Sequence, residues 1–319
     1  MRENQNIRNI ANEILELQES IYEYINTNRY QADLIRDLSV WNQICSSLDV
    51  ISDTTMAILS YCTGTYPNDK GLQYIYTYGL LQSLFIQQDA VKNLTKAFGQ
   101  DYEISDELKQ IRNIRNSAIG HPTYEPVKKN VYYTYLSRNT LSKNGFSYMR
   151  SSGNGEDVFH DVNVEEILEA QLLGVLEKYK YISDVLKKAD EEHKEKYKEI
   201  LVVDIFPSSM SYSFQKVAQG ICSPEKGNVS FGGSMLESIE RTYRSFEKEL
   251  MDRNELQGNE SLKYDLDQYF HAIDKLRKYF NNQAEGMTER DARVYHYYIK
   301  EKHSHFVKIA EEYDEEYLS

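Results

Sequence analysis

Residues 7–25 read IRNIANEILELQESIYEYI, with isoleucine or leucine recurring at intervals of three and four residues. This spacing places the apolar side chains on one face of a helix. Similar patterns run from about 34–62 and 72–98, and a shorter one begins near Ser105, whose side chain is suited to cap a helix. We therefore predict an antiparallel helical bundle over residues 1–127.

A segment of different character follows the bundle. Asn144-Gly145, a strong hairpin signal, lies between the β-prone runs VYYTYL and FSYM. Residues 128–162 are predicted to form a three-stranded antiparallel β-meander. Helical patterns return in a C-terminal helical region, residues 163–319, where CSPEKGNVSFGGS at 222–234 is interpreted as a loop. The predicted fold class is thus mainly α with a small meander.

Composition limits the function classes. The chain carries 37 basic and 50 acidic residues, a net charge of −13, which argues against broad adhesion to nucleic acid or acidic membranes but leaves room for a local basic site. The three cysteines form no C-x-x-C pair, so no zinc ribbon or disulfide framework is indicated. We find no signal-peptide pattern and no apolar run of about 20 residues, and we expect a cytoplasmic protein without a membrane span.

The stretch most informative for function is IRNIRNSAIGHP, residues 111–122. On a helix, Arg115 falls within the apolar stripe, and Arg112 and Asn116 fall on its flank. A guanidinium on the core-facing side keeps its charge and needs a partner or a polar cleft. The helix is predicted to end with Gly120 as a left-handed cap, followed by His121, a candidate general acid or base.

Arginine, histidine and asparagine together suit RNA cleavage without a metal ion. In that reaction the ribose 2′-hydroxyl attacks the adjacent phosphate, so a base, an acid and a cation that stabilises the phosphorane are needed. The motif contains one histidine, His121. The two proton transfers are most simply supplied by two chains across a two-fold axis, which predicts a homodimer.

The pattern Arg115-Asn116-x4-His121 resembles the R-polar-x4–6-H motif of the HEPN superfamily, and the preceding segment YGLLQSLFIQQDAVKNL and the GHP that closes the motif resemble uncharacterised bacterial members. The resemblance covers about residues 1–125. It implies a helical bundle and a metal-independent endoribonuclease of a toxin–antitoxin or other defence system, with its site at a dimer interface. It also implies catalytic roles for Arg115, Asn116 and His121, with RNA and an antitoxin or other protein as partners and no cofactor.

Arg112 and Asp89 are predicted to support the catalytic residues. Asp89 lies in the preceding helix and is expected to pair with Arg115 or Arg112, either to orient an active-site arginine or as a buried clamp between helices. The first alternative function is a non-catalytic helical interaction or regulatory protein. The second is a nucleotide-binding module that does not cleave RNA.

Overall fold

The computed structural model describes residues 3–127, 130–152, 155, 157–223, 226–283 and 285–318. These residues form ten α-helices and a four-stranded antiparallel sheet, so the chain is mainly α with a small sheet, as predicted. The helices are α1 (Glu3–Ile25), α2 (Asn28–Ile35), α3 (Leu38–Thr63), α4 (Lys70–Ala97), α5 (Asp106–Arg115), α6 (Val164–Tyr197), α7 (Met210–Cys222), α8 (Lys226–Asp252), α9 (Glu260–Phe280) and α10 (Glu289–Leu318). The strands are β1 (Glu125–Val127), β2 (Asn130–Leu136), β3 (Gly145–Ser152) and β4 (Asp157–Asn163).

The chain divides into two compact units. Unit 1 comprises Met1–Ile25 and Leu34–Lys187, and unit 2 comprises Asn26–Asp33 and Lys188–Ser319. The sheet and most of α6 therefore belong to the same unit as the N-terminal helices. The division between the two units lies within α6, whereas the sequence placed a boundary between residues 162 and 163.

Apolar faces of the helices and one buried amide network hold unit 1 together. Leu48, Leu84 and Leu172 come from three different helices and are fully buried in the same core. Within this core, the Gln88 side chain donates to Gln171 Oε1 at 2.8 Å, and Gln171 donates to Gln87 Oε1 at 2.9 Å. These bonds satisfy amides that would be costly to bury unpaired, and they join α4 to α6.

The sheet is an antiparallel meander of order β1-β2-β3-β4. The sequence predicted three strands, and β1 is the additional one; it spans only three residues, and its central residue is Pro126. The sheet also anchors the chain that leaves α5, because the backbone N–H of Thr134 in β2 donates to the carbonyl oxygen of Pro122 at 2.7 Å.

Two helical segments differ from the prediction. Asn28–Ile35 forms the separate helix α2, and Asp37 caps α3 by accepting from the backbone N–H of Ser39 at 2.9 Å. The loop predicted at 222–234 is wrong over most of its length, because α7 extends to Cys222 and α8 begins at Lys226. A Cβ on Gly220 of α7 would lie 3.2 Å from the Cα of Gly232 in α8, so the glycines permit a close helix contact that outweighs their low helix propensity.

Unit 2 contains a buried ionic network centred on Arg29 of α2. Its guanidinium pairs with Asp190 at 2.6 Å, with Glu255 at 3.0 Å and with Glu316 at 2.7 Å. Tyr317 donates to Glu255 Oε1 at 2.8 Å. Because burial is the largest influence on Glu255, its pKa is raised despite the neighbouring arginine. The network ties α2 to α6, to α10 and to the segment after α8.

None of the described helices has an apolar stretch long enough to cross a membrane.

Replacing Arg29 with methionine is expected to lower the free energy of unfolding by about 3–5 kcal/mol, because Glu255 stays buried without a cation and Asp190 keeps only its longer contact with Lys194, at 3.4 Å. Urea unfolding followed by circular dichroism measures the change. Arg244→Met is the matched control, since Arg244 pairs with Glu247 on the surface of the same unit and is expected to cost less than about 1 kcal/mol. Equal losses in the two variants would contradict a central role for Arg29.

Candidate active site at the end of helix α5

The candidate site lies where α5 changes its helical form. Ser105 caps the helix by accepting from the backbone N–H of Leu108 at 3.3 Å, as predicted. After Arg115 the chain continues as a π-helical turn over Asn116–Gly120, in which the backbone N–H of His121 donates to the carbonyl oxygen of Asn116 at 2.7 Å. Hydrogen bonds from residue i+5 to residue i widen a helix locally, and such π-helical turns are frequent at functional sites.

The end of the helix was predicted at the right place for a wrong reason. Gly120 was expected to adopt a left-handed conformation, but its φ is not positive. Gly120 instead makes room for a side chain: a Cβ there would lie 2.7 Å from Nη1 of Arg115 and 3.5 Å from Oδ1 of Asn116. Glycine is thus required by the packing of the guanidinium.

Arg112 joins α5 to α4 as a clamp. Its Nε donates to Gln88 Oε1 at 2.7 Å, and its Nη2 forms an ion pair with Asp89. The expectation that Asp89 pairs with one of the two arginines is therefore confirmed for Arg112. The charge of Arg112 is compensated within unit 1, and its guanidinium carbon lies 4.5 Å from the centre of the Phe85 ring.

Arg115 has a different environment. Its Nε and Nη2 donate to Gln82 Oε1 at 3.2 and 2.9 Å, and its Nη1 donates to Asn116 Oδ1 at 3.1 Å. The side chain is half-buried over Phe85, and within the described parts of the chain it forms no ion pair. Both polar partners are neutral amides, so they orient the guanidinium without cancelling its charge. An anion would therefore be attracted to this group.

His121 is exposed, and its backbone is held on both sides. Its own N–H is bonded in the π-helical turn, and the next residue, Pro122, accepts from Thr134 of β2. The imidazole forms no hydrogen bond with any residue that the structure describes. The structure therefore brings Arg115 and Asn116 into direct contact and leaves the His121 ring in solvent one turn away along the chain.

A second set of contacts fixes the π-helical turn against the sheet. Ser117 donates to Glu125 Oε2 at 3.2 Å, and Arg150 of β3 pairs with the same oxygen at 2.9 Å. The Arg150 guanidinium carbon lies 3.9 Å from the centre of the Tyr132 ring. These contacts anchor the segment between Asn116 and His121 without using any predicted site residue.

Sequence reasoning missed two positioning residues, Gln82 and Phe85. Both lie on α4. Phe85 is four residues before Asp89 and Gln82 is three residues before Phe85, so all three side chains lie on one face of the helix. This spacing was the available signal. No group of histidine, cysteine, aspartate and glutamate side chains suited to hold a metal ion occurs among the described residues.

Stability distinguishes the roles of the two arginines. Arg112→Met leaves the oxygen of Gln88, a residue only 2% exposed, without its donor and is expected to cost about 1–3 kcal/mol of unfolding free energy. Arg115→Met removes a half-buried charge and frees Gln82, which is partly exposed, to bind water; we expect a change below about 1 kcal/mol. Urea unfolding of both variants tests this, and a larger loss for Arg115→Met would identify Arg115 as a structural clamp.

Comparison with known proteins assigns the chain to no family. It matches no family model, no curated protein and no solved structure.

Proposed function

We propose that this protein is a metal-independent endoribonuclease of the HEPN type that acts as a homodimer in a toxin or defence system. The observation that carries the proposal is the half-buried guanidinium of Arg115, which is oriented by the neutral side chains of Gln82 and Asn116. A purely structural arginine in this position would be expected to carry a carboxylate partner, as Arg112 does.

In the proposed reaction a ribose 2′-oxygen attacks the adjacent phosphorus while His121 accepts its proton. Arg115 binds the non-bridging phosphate oxygens and stabilises the charge that grows on them in the phosphorane. The bond to the 5′-oxygen then breaks, and that oxygen takes a proton from His121 of the second copy. The products are a 2′,3′-cyclic phosphate and a free 5′-hydroxyl. Asn116 keeps the guanidinium in place.

An exposed apolar face of α4 supports the homodimer. Leu72, Ile75, Gly79, Gln82 and Ile86 follow one another at intervals of three and four residues and so share one face of the helix. Leu72, Ile75 and Ile86 are 46%, 64% and 38% exposed, and a Cβ on Gly79 would meet open space. Because Gln82 binds Arg115, a second copy packed on this face would lie beside the candidate site.

Cleavage assays in the presence of EDTA test the catalytic proposal. The wild type is expected to cleave single-stranded RNA to cyclic phosphate ends, and His121→Ala is expected to lower the rate at least about 100-fold through loss of proton transfer. His305→Ala, which removes a histidine whose side chain is 47% exposed in unit 2, is the matched control and should cleave as the wild type does.

A second variant in the same assay tests the geometry. Gly120→Ala places a methyl group against Arg115 Nη1, the end of a flexible side chain, so the guanidinium moves while the fold persists. We expect a loss of at least about ten-fold in cleavage with an unchanged melting temperature.

Equal cleavage by the wild type and His121→Ala, or cleavage by neither, would overturn the proposal. RNA binding without cleavage would favour the non-catalytic alternatives.

Sedimentation tests the dimer. The double variant Ile75→Asp/Ile86→Asp is expected to sediment as a monomer and to lose RNA cleavage while it keeps the helical circular dichroism spectrum of the wild type, because both side chains are exposed within one chain. Val294→Asp, which alters an equally exposed apolar side chain in unit 2, should leave the dimer intact. A wild type that is monomeric at micromolar concentration and still cleaves RNA would exclude a shared site.

A further inference from the structure

A pocket of about 350 Å³ lies beside the candidate site, between α4, the segment that precedes α5, and α5 itself. This volume is within the range of small-molecule binding pockets. Its polar lining consists of Lys92, Tyr102, Lys109, Arg112, Asn113 and Asn116.

The lining of this pocket is cationic although the chain as a whole is acidic. It contains three basic side chains, and no carboxylate is found among the described residues that line it. Arg112 is paired with Asp89, and Lys109 is paired with Asp106 at 2.9 Å in an exposed contact that an anionic ligand can replace at little cost. Lys92 is exposed and forms no ion pair with any described residue, so its charge is available to an anion.

The pocket also offers an apolar wall and neutral hydrogen-bonding groups. Tyr102 presents a half-buried ring, Ile104 lies beside it, and Asn113 and Asn116 supply carboxamides that both donate and accept. The Tyr102 hydroxyl is covered from solvent and has no hydrogen-bond partner in the described structure. Cations, an aromatic ring and carboxamides together match a nucleotide, which has an anionic phosphate, a flat base and polar base edges.

A neighbouring pocket shows that this chemistry is local. It has a volume of about 250 Å³ and shares Tyr102 and Ile104, but Glu103 and Glu177 contribute to its lining together with Lys178. Two carboxylates against one ammonium group repel an anion. An anionic ligand would therefore select the side of Tyr102 that faces Lys92.

We propose that the pocket lined by Lys92, Tyr102 and Asn116 binds the nucleotide next to the scissile phosphate, with its phosphate on Lys92 and Lys109 and its base against Tyr102. Asn116 connects the two places, since it lines the pocket and its Oδ1 accepts from Arg115. This inference rests on the proposed function in placing the bound nucleotide within an RNA strand. The binding chemistry itself is independent of cleavage.

Equilibrium binding to an uncleavable RNA tests the inference. The probe is a fluorescein-labelled 12-nucleotide RNA with 2′-fluoro riboses, which lack the attacking hydroxyl, titrated with the full chain in low salt. Lys92→Gln and Tyr102→Leu are each expected to raise the Kd at least about five-fold. Lys96→Gln removes an exposed lysine one turn further along α4 and outside the pocket, and it should change the Kd less than two-fold. Lys92 is exposed, so its variant keeps the test valid if Tyr102→Leu fails to fold.

Separate titrations with AMP, UMP and inorganic phosphate distinguish the sources of the nucleotide. Mononucleotide binding that is lost in Lys92→Gln would assign the pocket to free nucleotides, which preserves the binding site but overturns its place on an RNA strand. A response confined to the oligonucleotide supports the strand. Absence of binding by the wild type, or equal effects of Lys92→Gln and Lys96→Gln, overturns the inference.

Failure of the inference and failure of the proposed function have different signatures. His305→Ala, which alters a histidine of unit 2 outside the pocket, should bind the 2′-fluoro RNA as tightly as the wild type. If Lys92→Gln cleaves RNA with an unchanged KM, the pocket is not used although the nuclease assignment stands. If the wild type does not cleave RNA but Lys92→Gln weakens binding and Lys96→Gln does not, the pocket stands without the nuclease.

Discussion

The structure around the candidate site depends on how the charge of Arg115 is accommodated. A guanidinium that cannot lose its proton is costly to cover unless another charge or an aqueous cleft compensates it. In unit 1 it is held by the amides of Gln82 and Asn116 and lies over the Phe85 ring, and no described carboxylate neutralises it. Arg112, only three residues earlier, shares the same ring and has Asp89. One turn of helix thus carries one arginine that is paired with a carboxylate of unit 1 and one whose charge no described carboxylate compensates.

The π-helical turn explains how such an arrangement fits at the end of a helix. The bond from His121 N–H to the Asn116 carbonyl spans five residues and leaves space beside the backbone. Gly120 keeps this space open, because any larger residue would displace the guanidinium before disturbing the backbone. The same turn carries the chain outward, so that His121 is exposed while Arg115 remains half-buried. The imidazole of His121 thus lies nearer the surface than the guanidinium of Arg115. This arrangement suits a phosphate that binds at the surface above a fixed cation.

Local rules predicted much of this chain, and tertiary contacts account for the rest. Ser105 makes the capping bond that the sequence predicts, since its hydroxyl oxygen accepts from the backbone N–H of Leu108. The π-helical turn could not be predicted, since projecting residues 111–121 on a regular helix assumes one angle per residue. The helical start of α8 was missed because its glycines are stabilised by a close contact with α7, which no local pattern reveals. For the site, the sequence indicated Arg115, Asn116 and His121. It could not show that the partner of Arg115 on α4 is the neutral side chain of Gln82, because that contact joins residues 33 positions apart.

Arg115 of unit 1 differs from the buried arginines of unit 2, because no described carboxylate pairs with it, and this difference is one reason to propose an anionic ligand there. In unit 2, Arg29 contacts three carboxylates, and Arg253, which is fully buried, pairs with Glu249 at 2.8 Å. Such networks fix the packing of helices but leave little field for a ligand, because the opposite charges lie within contact distance. In unit 1, Arg115 is half-buried and has no such partner within the described structure, and Lys92 is exposed and also unpaired there. Since a partly buried cation without a counter-charge costs stability, we propose that an anion completes the Arg115 site when it binds.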